Sequence, residues 1–128
     1  VTPEQLTAVK AVFEATGKTF ALTEAQFPLF GALAGCGPAF SYIYIDALAR
    51  AGVQYGMPKN LALEIAAQTV LGRAKMLLES GEHPWSLTDQ VCSPGGTTIE
   101  GVAALQENGF EAAVHKAVRA ALEKDSKL

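Results

Sequence analysis

The residues best suited to chemistry lie between Cys92 and Gly101, where two hydroxyl-rich segments flank Pro94 and the pair Gly95-Gly96. Pro94 fixes its own φ near −65°, and the glycines allow backbone angles closed to other residues. From Thr97 the apolar residues recur at helical spacing, so the stretch predicts a tight turn that leads into a helix. The first N–H groups of a helix lack partners within it and carry partial positive charge. They could therefore bind a small anion such as a carboxylate without arginine or lysine.

A second interpretation of this stretch needs no ligand. Thr97 followed by Glu100 matches a capping box, in which the two side chains satisfy backbone donors of the first helical turn. A Gly-Gly pair before a helix is also a common turn. The pattern by itself leaves both interpretations open.

The composition predicts one domain that covers its apolar surface with another chain. Of 128 residues, 49% are hydrophobic and only 18% are charged, whereas about 25% is usual for charged residues. The net charge of −3 argues against a nucleic-acid partner. No apolar run is long enough and free of charge to predict a membrane span, and we expect no signal peptide.

The remaining reactive side chains give no metal or redox pattern. Cys36 and Cys92 are far apart in sequence and are expected to be free thiols in a reducing, cytoplasmic compartment. His83 has no second ligand at metal spacing, so we predict no metal site. His115 lies among charged residues and is expected to be solvated.

The N-terminal quarter predicts a helix, an isolated strand and a second helix. Thr2-Pro3-Glu4 is a strong helix start, and Gly17 is the expected stop. Lys18–Leu22 has no helical period and could form a strand. No second convincing strand follows, so this strand would have to pair outside the chain. Thr23 can cap the next helix, which carries Phe27 to Leu33.

The middle of the chain predicts two long apolar helices. Gly35-Cys36-Gly37-Pro38 is expected to make a sharp break, after which a helix from Ala39 to Ala51 is apolar on almost every side. A helix of this kind is buried on every side, which indicates the core of an oligomer. Asp46 and Arg50 are four residues apart and are expected to pair. A long helix should follow from Met57-Pro58 to about Ser80.

The C-terminal third predicts a loop and three helices. Ser80 to Trp85 is the expected loop, and a short helix should begin at Ser86. The helix from Thr97 should end at Asn108-Gly109. An amphipathic helix is then expected from Phe110 to Glu123.

Four motifs resemble the C-terminal domain of pyrroline-5-carboxylate reductases. They are Ala34–Phe40, Gln68–Gly72, Met76–Pro84 and Ser93–Ile99. The similarity extends from about Phe27 to about Leu122, and the last motif resembles the signature of the family. The first 25 residues resemble the closing helix and last strand of the family's dinucleotide-binding domain.

The resemblance implies an all-α multi-helix bundle that forms an intertwined homodimer, with further assembly in some members and at most one orphan strand near Lys18–Leu22. Residues 1–25 would be the remnant of a dinucleotide-binding domain, and residues 26–128 would bind substrate and dimerise. The implied activity is reduction of pyrroline-5-carboxylate to proline with NADPH or NADH. The binding site for this cofactor would lie outside this chain. We expect neither a membrane nor a nucleic-acid partner.

The resemblance also implies roles for residues of the Gly-Gly stretch. Ser93, Gly95, Gly96 and Thr97 would hold the substrate carboxylate through backbone N–H groups. Thr98 would contribute to the same site, and its hydroxyl would contact the ring nitrogen as the catalytic group. A hydroxyl can donate a hydrogen bond to a developing amine.

Two other functions fit the same residues. The first is a plain oligomerisation module, in which the Gly-Gly stretch only starts a helix. The second is the helical domain of a different dehydrogenase that acts on a hydroxy acid, with Lys75 on the long helix as the catalytic lysine, although no matching motif surrounds Lys75.

Overall fold

The computed structural model describes residues 1–126 and is all-α, without a strand in that range. The helices follow one another with short connections: α1 Pro3–Glu14, α2 Phe27–Phe30, α3 Gly37–Gln54, α4 Lys59–Ser80, α5 Pro84–Val91, α6 Thr97–Glu107 and α7 Phe110–Asp125. A 3-10 turn, Glu24–Gln26, precedes α2, and a π-helical turn, Gly31–Cys36, joins α2 to α3.

The predicted start of α1 is confirmed. Thr2 is its N-cap in a full capping box with Gln5, and Pro3 occupies the first helical position. The helix ends at Glu14, earlier than the predicted stop at Gly17. Lys18–Leu22 is not a strand, because a strand requires a neighbour for its backbone hydrogen bonds and the described chain has none to provide.

The predicted break at Gly35–Pro38 is wrong. The chain stays helical through it, as the π turn takes up one extra residue before α3. Pro38 lies in the first turn of α3, where its missing N–H and fixed φ are tolerated. Gly37 has φ −51°, an ordinary helical angle. The glycines here therefore do not act as helix breakers.

Helices α3 and α4 pack as a hairpin. Gly56, with φ +99°, makes the turn between them, and the N–H of Met57 donates to the carbonyl of Gly52 at 2.9 Å. The buried cluster at their contact consists of Ala49, Ala62 and Ala66. On the outer side of α3, Asp46 pairs with Arg50 as predicted, and this hydrogen bond raises the pKa of the guanidinium above its ordinary value.

Helix α7 packs against α2 and the π turn, and α6 packs against α7. The rings of Tyr44 and Phe110 lie 5.8 Å apart between α3 and the start of α7. Gly109, with φ +73°, separates α6 from α7, so the predicted end of α6 at Asn108-Gly109 is confirmed. Trp85, predicted to end a loop, is 45% exposed and belongs to α5, which begins at Pro84 rather than Ser86.

The chain leaves much more surface uncovered than a compact monomer does. Its accessible surface is 10266 Å², whereas a monomer of 13.4 kDa exposes about 6,500 Å². Tyr42 and Ile43 on α3 are 71% and 69% exposed. Such an apolar helix surface indicates an interaction site.

The helical stretch Glu24–Gln54 is long and apolar enough, by length and composition alone, to cross a membrane, with a mean hydropathy of 1.2. The sequence had predicted no span. A helix that is buried between subunits has the same composition, so this finding is weak evidence for a membrane location.

Candidate functional site

Helix α5 directly precedes the Gly-Gly stretch. His83 is its N-cap, and Nδ1 of His83 accepts a hydrogen bond from the N–H of Trp85 at 3.2 Å. At the other end the N–H of Cys92 donates to the carbonyls of Thr88 and Asp89, at 3.1 and 3.2 Å. The backbone of Cys92 is extended, so the helix ends there and Ser93 begins the turn.

Ser93 to Gly96 form a β-turn. The N–H of Gly96 donates to the carbonyl of Ser93 at 3.0 Å. Pro94 occupies the second position of the turn, and Gly95, with φ +65°, occupies the third. This is the residue pattern of a type II turn, which needs a positive φ at the third position. The predicted tight turn is confirmed, and the positive φ of Gly95 requires glycine there.

The predicted capping box of Thr97 and Glu100 is wrong. Helix α6 begins at Thr97, so the N-cap is Gly96, which has no side chain to accept from the first turn. Thr97 lies inside the helix, one residue too late to cap it. The N–H groups of the first turn of α6 therefore point out of the helix without a capping side chain, and the partial positive charge of the helix end is available to a ligand.

The structure brings the five predicted site residues together in one turn and one helix start. Ser93, Gly95, Thr97 and Thr98 are exposed, and Gly96 is half-buried. The N–H of Gly96 already donates to the carbonyl of Ser93 within the turn, so it is not available to a ligand. Gly96 instead leaves room beside the turn, because it has no side chain. The hydroxyls of Ser93, Thr97 and Thr98 make no hydrogen bond with any other residue of 1–126.

Replacing Gly96 by alanine is expected to weaken carboxylate binding about tenfold. A methyl group at Gly96 would overlap Oγ of Ser93 and lie 3.1 Å from the carbonyl of Ser93, the acceptor of the turn. Calorimetric titration with proline measures the effect. Gly101→Ala is the matched control, since a methyl group there meets nothing within 4 Å and alanine favours the helix. Equal affinity in the Gly96 and Gly101 variants would contradict this prediction.

The other candidate residues are Lys75 and the two cysteines. Nζ of Lys75 lies 3.8 Å from Glu79 on the surface of α4. Cys36 and Cys92 are free thiols, each partly buried. Residues 1–126 contain no group of His, Cys, Asp and Glu that could hold a metal ion.

One contact near the site was not predicted. Nε2 of Gln90, in the last turn of α5, donates to Oε2 of Glu82 at 2.7 Å. The two residues are eight positions apart, a spacing that matches no helical pair. No sequence signal could have identified this contact.

The described site residues line neither the cavity beside α1 nor the groove between α5 and α6. The cavity of about 530 Å³ beside α1 is lined by Phe13, Phe20 and Phe30 among others. A groove of about 260 Å³ between α5 and α6 contains Trp85 and Phe110. The Ser93–Thr98 segment lies open to solvent, so a substrate bound there would need further walls.

Known proteins share the sequence pattern and the fold of this chain. The pattern of the family described as pyrroline-5-carboxylate reductase dimerisation matches residues 24–128. The chain belongs to this family. Its resemblance, first recognised from four motifs, is thereby confirmed, and so is the all-α fold.

The pyrroline-5-carboxylate reductase of Escherichia coli is 46% identical over 128 residues, which is 100% of this chain and 48% of that protein. The crystal structure of 1-pyrroline-5-carboxylate reductase from Streptococcus pyogenes superposes with a TM-score of 0.92 at 43% identity, over 100% of this chain and 49% of the other. The Plasmodium falciparum pyrroline carboxylate reductase, crystallised with NADP bound, gives a TM-score of 0.87 at 34% identity, over 97% and 50%. This member of the family therefore spans about half the length of the relatives that it matches.

Proposed function

We propose that this chain is the substrate-binding and dimerising half of a pyrroline-5-carboxylate reductase, an enzyme that reduces 1-pyrroline-5-carboxylate to proline. The observation that carries the proposal is the uncapped start of α6 directly after the Ser93–Gly96 turn. It offers donors for an anion and free hydroxyls in one place, in a chain of the reductase family.

Each site residue has a task in this reaction. The N–H groups at Thr97 and Thr98 and the hydroxyl of Ser93 bind the carboxylate, which the helix end also attracts. The hydroxyl of Thr98 donates to the ring nitrogen, where an amine develops as C5 is reduced. Two contacts on a small rigid ring align C5, and alignment of this kind supplies a large part of a rate enhancement.

The cofactor site lies outside this chain. The sequence contains no G-x-G-x-x-G segment, which a dinucleotide fold uses to hold the pyrophosphate. We propose NADP or NAD as the hydride donor, held by another part of the polypeptide; the NADP in the Plasmodium falciparum relative supports this choice. Residues 1–25 would close that nucleotide-binding domain, in keeping with a family match that begins at residue 24.

The partner that we propose is a second copy of the chain. The surface in excess of a compact monomer is about 3,800 Å², more than a standard interface of ~800 Å² per partner. The exposed side chains on α3 and α4 that belong to this surface are large and apolar. Dimers could assemble into larger oligomers. The net charge of −3 does not favour binding to nucleic acid or to anionic membranes. Free thiols agree with a cytoplasmic location.

Proline or a ring analogue is expected to raise the melting temperature of the chain. A ligand at 100 times its Kd stabilises the folded state by about 2.7 kcal/mol, a shift of roughly 10 °C for a chain of this size. Differential scanning fluorimetry measures it, with cyclopentane, which lacks the carboxylate, as the control. An unchanged melting temperature would favour the oligomerisation module that binds no ligand. The dehydrogenase based on Lys75 has less support, since Glu79 lies beside Lys75.

A further inference from the structure

The hydrogen bond between Gln90 and Glu82 connects the two ends of α5. Gln90 lies in the last turn of the helix and Glu82 lies two residues before its first residue. Nε2 of Gln90 donates to the Glu82 carboxylate at 2.7 Å, so the bond spans the whole helix. A hydrogen bond to a charged acceptor is stronger than one between neutral groups.

Glu82 is held in place by its neighbours on the chain. Gly81, with φ +69°, ends α4 in the left-handed conformation. The N–H of Glu82 then donates to Oγ of Ser80 at 3.2 Å. His83, the next residue, caps α5 through the N–H of Trp85. The acceptor side of the pair is therefore anchored to the end of α4.

The donor side of the pair holds the helix turn that leads into the candidate site. Helix α5 has eight residues, and a helix of two turns is marginal without added contacts. Ser93 follows Gln90 by three positions, and the N–H of Cys92 still depends on carbonyls of that last turn. Fraying of the turn would displace Ser93 and, through its carbonyl, the N–H of Gly96.

We propose that Glu82 and Gln90 are positioning residues for the substrate-binding turn. They hold the C-terminal turn of α5 so that Ser93–Gly96 and the start of α6 meet the carboxylate of the substrate. The pair does not touch substrate. This inference rests on the proposed function, because it assigns the turn to substrate binding.

An exchange of the two side chains tests the pair in the full-length enzyme. Gln90→Glu places two carboxylates together and is expected to raise KM for pyrroline-5-carboxylate about fivefold, the effect of losing one hydrogen bond, with kcat and the cofactor KM within twofold. Glu82→Gln keeps an acceptor, although a neutral one, and should raise KM less than Gln90→Glu does. The double variant Glu82→Gln/Gln90→Glu restores the bond with donor and acceptor exchanged and should restore KM. An unchanged KM in Gln90→Glu, or a double variant as weak as that single one, would overturn the proposal.

Amide hydrogen exchange on the chain itself separates the two proposals. Exchange at residues 92–98 should be faster in Gln90→Glu and normal in the double variant, while exchange in α4 stays unchanged. If the pair controls this exchange but the enzyme does not reduce pyrroline-5-carboxylate, only the proposed function fails. If Gln90→Glu changes neither amide exchange nor KM in an active enzyme, only the proposed role of Glu82 and Gln90 is contradicted.

Discussion

Replacing Thr98 by alanine in the full-length enzyme is expected to lower kcat about 100-fold while the dimer persists. The hydroxyl of Thr98 has no partner among residues 1–126, and it lies in the first turn of α6 beside the N–H groups that we propose as donors to the carboxylate. A positioned hydrogen-bond donor that acts on charge developing in a transition state is worth about 10²–10³ in kcat. The effect should fall on kcat more than on KM, because the carboxylate contacts remain.

Steady-state kinetics with pyrroline-5-carboxylate measure this effect, and light scattering reports the dimer. Thr98→Ser keeps the hydroxyl and should retain most of the activity. Thr69→Ala is a control for general destabilisation, as Oγ1 of Thr69 donates only to the carbonyl of Ile65 within α4. A Thr98→Ala enzyme with normal kcat would contradict the role of the hydroxyl.

Replacing Ile43 by aspartate is expected to abolish the dimer of this chain. Ile43 is 69% exposed on α3 in the single chain, and we expect the second chain to bury it. An unpaired carboxylate there costs several kcal/mol of desolvation in each subunit. About 4 kcal/mol corresponds to a 1,000-fold weaker association.

Light scattering distinguishes a species of 13.4 kDa from one of twice that mass. Ile43→Leu keeps the volume and apolar character and should remain dimeric. Arg50→Gln changes charge on the same helix at a site already paired with Asp46 on the surface, and it should also dimerise. A stable dimer of Ile43→Asp would show that this face of α3 is not the interface.

The helices of this chain were largely predictable from their own residues. The capping box at Thr2, the pair Asp46–Arg50 and the glycine at position 109 act through neighbours within about four positions. Local spacing is enough to identify such features. The sequence also located the Ser93–Gly96 turn, because proline followed by glycine specifies the dihedral angles of a type II turn.

Two local predictions were wrong because glycine and threonine permit more than one conformation. The Gly35–Pro38 segment was expected to break the helix, yet its glycines adopt helical angles and Pro38 lies in the first turn of α3, where proline is tolerated. The capping box of Thr97 and Glu100, one of two interpretations of the Gly-Gly stretch, does not form, because Gly96 takes the N-cap position. Propensities rank conformations, and the neighbouring structure selects among them.

The walls of the candidate site could not be predicted from one chain. The Ser93–Thr98 segment is exposed here, and no spacing within a sequence states what another chain brings to it. The pair Glu82–Gln90 was missed for a related reason, since its partners meet across a whole helix.

The small buried core should make the stability of the fold depend on protein concentration. Ala32, Ala49, Ala62 and Ala66 are the buried hydrophobic residues among 1–126, and alanines alone cannot offset the entropy of ordering so long a chain. Folding and association would then be a single bimolecular event, as in obligate dimers. The midpoint of thermal unfolding should accordingly rise with protein concentration, and on sufficient dilution the helices should melt rather than separate as intact subunits.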